Sequence, residues 1–142
     1  MTEHAYIKLV PASEKQEMNL DDVKDLLRYY RDITSKTGQQ LEWNYGGAAF
    51  PYEFAEPRES RGKWFYLRAT DTDNYCYIVF AVDSEKTEDG DSRFYVQVTL
   101  PDDATQADKS KANEFCKFIA KKLKGELHLF NGRIMYFYKQ KA

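Results

Sequence analysis

Over residues 4–10 the side chains alternate, with Ala5, Ile7 and Leu9 on one side and Tyr6 and Lys8 on the other; this predicts a short strand closed by Pro11. After Asn19 the period changes. Val23, Leu26, Leu27, Tyr30, Ile33 and Thr37 recur at intervals of three and four, so they share one face of a helix. Asn19 can cap that helix, Asp21 and Asp22 suit the positive end of its dipole, and Gly38 offers a left-handed stop. Alternation returns over residues 40–45, where Leu41, Trp43 and Tyr45 oppose Glu42 and Asn44. Residues 46–62 read least clearly, because Gly46-Gly47, Pro51, Pro57 and Gly62 interrupt a short strand around residues 48–54. A mostly irregular stretch of that length is a candidate site, or else a surface excursion with an edge strand.

Residues 63–70 and 75–82 read as two strands joined by the turn-forming tetrapeptide Asp71-Thr72-Asp73-Asn74. With those four residues as the loop, Ala69 pairs with Cys76, Leu67 with Ile78 and Phe65 with Phe80 on one face. Arg68 with Tyr77, Tyr66 with Val79 and Trp64 with Ala81 then share the other, so both faces are apolar or aromatic. An acidic turn over residues 84–92 leads to a strand over 93–100, with Phe94, Val96, Val98 and Leu100 inward and Tyr95, Gln97 and Thr99 outward. Thr105, with Asp108 three residues on, predicts a capping box. The helix that follows buries Ala112, Phe115, Cys116, Ile119, Ala120 and Leu123, turns Lys109, Lys117, Lys121 and Lys124 to solvent, and stops at Gly125. Asn131-Gly132 suits a two-residue type I′ turn, which pairs Leu129 with Ile134, His128 with Met135 and Leu127 with Tyr136. In that register Leu127, Leu129, Ile134 and Tyr136 face inward, while Glu126, His128, Phe130, Arg133, Met135 and Phe137 face outward.

Consecutive hairpins with only two helices are best accommodated by an α+β fold: one domain over residues 1–142, a mainly antiparallel sheet with both helices on one face, a two-layer sandwich. Composition agrees with a globular chain but adds one anomaly. The 2 Trp, 11 Tyr and 9 Phe are too many for the inward positions alone, so some must lie at the surface. Net charge is −2 but uneven, with 12 basic and 19 acidic residues up to residue 102 against 9 and 4 thereafter. Two complementary halves of one domain account for that asymmetry, and it lacks the basic excess of a nucleic-acid binder.

The chain carries no pattern for catalysis, metal or nucleotide. Cys76 and Cys116 have no CxxC spacing and both fall on inward faces, the setting of inert reduced thiols. Asp71 with Asp73, and the run from Glu85 to Asp91, lack the ligand spacing of a calcium loop. Gly46-Gly47 lacks the context of a phosphate loop. No cofactor and no metal is therefore expected. The N-terminus has no secretory pattern and no apolar run is long enough to span a bilayer, so a cytoplasmic protein without a membrane partner is expected.

What remains is the predicted outer sheet face. Trp64, Tyr66, Arg68, Tyr77, Tyr95, His128, Phe130, Met135 and Phe137 are expected to share it, which makes it a candidate surface for a small ligand, a protein partner or a second copy of the chain. A rival expectation is a small enzyme with a pocket between residues 46–62 and the sheet, using His128 with Glu126 or Arg68. The least favoured is single-stranded nucleic-acid binding by the sheet aromatics. The opening AYIKLVP and the block ANEFCKFIAKKLKGELHLFNGRIMY, residues 112–136, resemble a small family of uncharacterised single-domain proteins from Gram-positive, spore-forming bacteria. That resemblance implies a small bacterial cytoplasmic α+β protein and brings no site residues with it.

Overall fold

Seven strands form one antiparallel sheet in the computed structural model, which describes residues 2–40, 50–70 and 72–138. In chain order the elements are β1 (Glu3–Lys8), α1 (Leu20–Gln40), β2 (Tyr52–Ala55), a 3-10 turn (Arg58–Ser60), β3 (Trp64–Ala69), β4 (Tyr77–Lys86), β5 (Ser92–Leu100), α2 (Gln106–Leu123), β6 (Glu126–His128) and β7 (Ile134–Tyr136). The strand order is β2-β3-β4-β5-β1-β6-β7, which sets the N-terminal strand between β5 and β6. This is the expected α+β arrangement.

Alternation along the strands decides what is buried. Ala5, Ile7, Phe65, Leu67, Ile78, Phe80, Val96, Val98 and Leu127 point to one face and are wholly buried, together with Val23 and Leu27 of α1 and Phe115 and Ile119 of α2. Both helices therefore lie on that side. The capping residues do as their chemistry dictates: Asn19 Oδ1 accepts the Asp22 N–H at 2.9 Å, and Thr105 with Asp108 closes a complete capping box.

Most predicted pairings hold. β3 and β4 pair as the Asp-Thr-Asp-Asn loop requires, from Trp64 with Ala81 to Arg68 with Tyr77, and Ala69 N–H donates to Cys76 O at 2.8 Å. Residues 40–45, expected as a strand, lie at the end of α1 and then outside the described residues, as do residues 46–49. From Phe50 onward the unclear stretch is an edge strand and a 3-10 turn, with Phe50 and Tyr52 in the core.

Four boundaries differ from expectation. Gly38 does not stop α1, which runs to Gln40; a helical glycine costs only about 1 kcal/mol and ends nothing by itself. β4 and β5 remain paired out to Lys86 and Ser92, so the acidic turn shrinks to residues 87–91. At the end of α2 the left-handed residue is Lys124, with φ 55°, not Gly125. Gly125 is needed for a different reason, because a Cβ there would stand 3.0 Å from the Lys8 carbonyl oxygen.

The fourth difference changes the outer face. Within the closing hairpin only Gly132 takes a positive φ, +87°, and Leu129 N–H donates to Arg133 O at 2.8 Å, so the loop has three residues, Phe130-Asn131-Gly132. Glu126 then pairs with Tyr136, Leu127 with Met135 and His128 with Ile134. A slip of one residue sends every β7 side chain to the other face. Met135 and Phe137 pack against the core, whereas Ile134 and Tyr136 are 41% and 50% exposed.

Candidate binding face

Because every strand register is known, the face away from the helices can be laid out row by row. One row runs Ala55, Tyr66, Val79, Thr99 and His4 across β2, β3, β4, β5 and β1. The next runs Trp64, Ala81, Gln97, Tyr6, His128 and Ile134 from β3 to β7. A third holds Asp83, Tyr95, Lys8, Glu126 and Tyr136. Arg68 and Tyr77 form the top row on β3 and β4, with Glu53 opposite Arg68 on β2.

The rows give the face its relief. Small side chains, Val79, Ala81 and Thr99, sit on the middle strands, and large rings stand on either side. This makes an open cleft of about 890 Å³ bordered by Trp64, Tyr66, Arg68, Tyr77, Gln97 and Thr99. The rings lean on one another: Tyr66 meets Tyr77 edge-on at 5.9 Å between centroids, and Trp64 lies 6.4 Å from Tyr66. Beyond the Gln97 edge of the cleft, on the neighbouring strands β1 and β5, Tyr6 meets Tyr95 at 5.8 Å. Each of these rings is half-buried by its neighbours. Strands lie about 4.8 Å apart, so the Trp64 and Tyr6 backbones are separated by three spacings, or roughly 14 Å.

Charges on this face are mostly matched. Arg68 is held by Glu53, with Nη2 at 2.6 Å, and Lys8 by Glu85 at 3.3 Å. Arg93 Nη2 reaches Glu126 at 3.3 Å while its Nε donates to the Leu9 carbonyl at 2.9 Å. Burial pushes the Tyr77 phenol up, and Asp103 and Asp102 push it further; Tyr95 is raised by burial and then by Asp83 and Glu85. Burial is the larger cause at both rings, and the carboxylates add to it.

Of the nine residues expected on this face, Trp64, Tyr66, Arg68 and Tyr77 border the cleft together, and Tyr95 stands beside Tyr6 on its far side. His128 is on the same face but on β6, four spacings from β3 or roughly 19 Å. It therefore shares no pocket with Arg68 or with the described part of residues 46–62. Met135 and Phe137 leave the face for the register reason given above, Phe130 lies in the three-residue loop, and all three pack against the core. Sequence reasoning missed Tyr6 and His4. Alternation already set Tyr6 opposite the buried residues of β1, but only the placement of β1 beside β5 brings it next to Gln97 at the cleft's edge.

His128 belongs to a separate polar cluster. Its Nε2 is 2.7 Å from Glu126 Oε1, and Tyr138 OH donates to Glu126 Oε2 at 3.2 Å. Burial raises the Glu126 pKa, but His128, Arg93 and Tyr138 outweigh it and hold the carboxyl below its ordinary value. Every member of the cluster is engaged with another. The thiols are quiet as well: burial pushes Cys116 up to about 12, and Cys76 is raised by burial and then by Asp108 and Asp103. Among the described residues no three His, Cys, Asp or Glu side chains converge as a metal site, and no helix is long and apolar enough to cross a membrane.

No curated protein matches the chain. Among solved structures it is similar to a protein of unknown function from Bacillus stearothermophilus, with 41% identity over 90% of this chain and 94% of that one and a TM-score of 0.59. Residues 3–139 match the family described as a domain of unknown function, DUF1885, and the chain belongs to that family.

Proposed function

We propose that this protein is a non-catalytic binding domain whose ligand or protein partner docks on the outer face of β3, β4, β5 and β1. One observation carries the reading: the rings of Trp64, Tyr66 and Tyr77 border a cleft of about 890 Å³ on the sheet face opposite both helices, and Tyr6 and Tyr95 stand together beside Gln97 at its edge. Half-buried Tyr and Trp with free edges are the side chains that binding surfaces favour, since they offer large rigid contact area at little entropic cost. Central strands have no unpaired backbone to offer, so recognition there must run through side chains. Self-association through the same face is one form this binding can take.

Nucleic acid fits less well. The cations on this face are each held by a carboxylate, and a phosphate backbone needs cations that are not.

The test is amide and indole NMR of the full chain, titrated with a panel of extended peptides, together with sedimentation over a wide concentration range. Shifts at Trp64, Tyr66 and Tyr77, or a dimer dispersed by Tyr66→Ala, are expected. A monomer at the highest concentration whose outer-face signals no peptide moves would overturn the reading.

A further inference from the structure

The electrostatics of the outer face narrow what it can take. Every cation projecting from it has a carboxylate partner: Arg68 with Glu53, Lys8 with Glu85, and Arg93 with Glu126. Two carboxylates have no ion pair among the described residues. Asp83 lies cross-strand from Tyr95 at one end of the face and accepts only the N–H of Ser84. Asp103 follows β5 at the other end, two residues before Thr105, whose hydroxyl donates to the Asn74 carbonyl at 2.8 Å in the loop that leads to Tyr77.

Between these two charges stand the faces and edges of Trp64, Tyr66, Tyr77, Tyr6 and Tyr95. Aromatic faces carry negative quadrupole potential and attract ammonium and guanidinium groups within about 6 Å of the ring centre. An anion would meet aromatic faces and unmatched carboxylates. A neutral apolar chain would leave both carboxylates without a partner and desolvate them as it docked.

We infer that the cleft binds an extended basic polypeptide segment, with Lys or Arg side chains laid against the rings of Trp64, Tyr66 and Tyr77 and reaching Asp83 and Asp103 at its ends. This rests on the reading of the outer face as the binding surface. An extended segment suits the shape, since the cleft floor of Val79, Ala81 and Thr99 runs open along the strands between the rings. The segment's alternate side chains point to the floor and to solvent, so a basic residue at every second position meets the face. The lysine-lined helix of a second copy offers the same chemistry in another form, and the experiment separates the two.

The probe is a Lys-Ser repeat peptide, compared with its Nε-acetylated form and with a Glu-Ser repeat, each titrated into the full-length protein by NMR. The Lys-Ser peptide is expected to shift the Trp64 indole and the Tyr66 and Tyr77 amides. Acetylation, Asp83→Asn and Asp103→Asn should each weaken binding about three- to tenfold, and added salt should weaken it in the wild type. Both aspartates are exposed, so neither substitution threatens the fold. If the acetylated or Glu-Ser peptide binds the face as well as Lys-Ser does, the basic-segment inference falls while the binding face stands. If no peptide binds but the protein dimerises in a manner abolished by Tyr66→Ala, the inference again falls and self-association takes its place. If neither occurs, the binding face itself is wrong.

Discussion

Asp108 shows how much a single buried carboxylate can organise. It is wholly buried, yet all its acceptor capacity is used: Oδ1 takes the Tyr52 hydroxyl at 2.6 Å, and both oxygens take the Cys76 N–H, at 3.1 and 2.9 Å. Oδ2 also accepts the Thr105 N–H at 2.9 Å, so the capping box of α2 is tied to the edge strand β2 and to the entry of β4. Hydrogen bonds to a charged group contribute about 1.5–3 kcal/mol each. Tyr52→Phe is expected to lower stability by about that amount in urea unfolding, with the fold retained. The capping pair Thr105 and Asp108 was legible in the sequence because its spacing is local. That Tyr52 donates to the same carboxylate was not, since 56 positions separate them. Glu126 makes a second residue-scale case. Its folded pKa lies below the ordinary value, so its contribution is present above the unfolded pKa and is lost as pH falls through the folded one. Urea midpoints measured down the acid limb should therefore fall less steeply below about pH 4.5 in Glu126→Gln than in the wild type.

Among the elements, the two hairpins with turn-forming loops had different fates. The β3–β4 register follows from its polar tetrapeptide, because a shift of one residue would expose Phe65, Leu67, Ile78 and Phe80, all wholly buried. The β6–β7 hairpin had no such safeguard. The alternating sets of its last strand, Ile134 with Tyr136 and Met135 with Phe137, are equally apolar, so the pattern alone cannot say which set faces inward. Turn geometry and packing chose instead, with Gly132 in the left-handed position and Phe137 N–H donating to Gly125 O at 3.0 Å. Gly132→Ala is expected to cost about 1–2 kcal/mol by chemical denaturation, since a Cβ at that φ is strained even with open space around it. Cross-strand contacts in the NMR spectrum should join Leu127 to Met135; finding Leu127 opposite Tyr136 would contradict the register.

The whole molecule separates a core that holds the fold from a face that is spare. Phe115 of α2 lies 5.3 Å from Tyr30 of α1, 5.5 Å from Phe50 and 6.0 Å from Tyr52, ring to ring, so one side chain joins both helices to the sheet edge. Phe115→Ala should cost about 3–5 kcal/mol, as core aromatic truncations do, whereas Trp64→Ala on the outer face should cost clearly less. A thermal or urea comparison of the two variants checks this; equal losses would mean the outer rings belong to the core. The sequence by itself determined the class of fold, the capped helix starts, the buried stripe of α2, the β3–β4 register and the aromatic character of Trp64, Tyr66 and Tyr77 opposite it. These depend on period, local spacing and turn chemistry, which act over a few residues. Tertiary structure decided the strand order, the inward turn of Met135 and Phe137, and the meeting of Tyr6 with Tyr95 beside the cleft. Those outcomes depend on which distant segments lie side by side, and no periodicity within a segment encodes its neighbour.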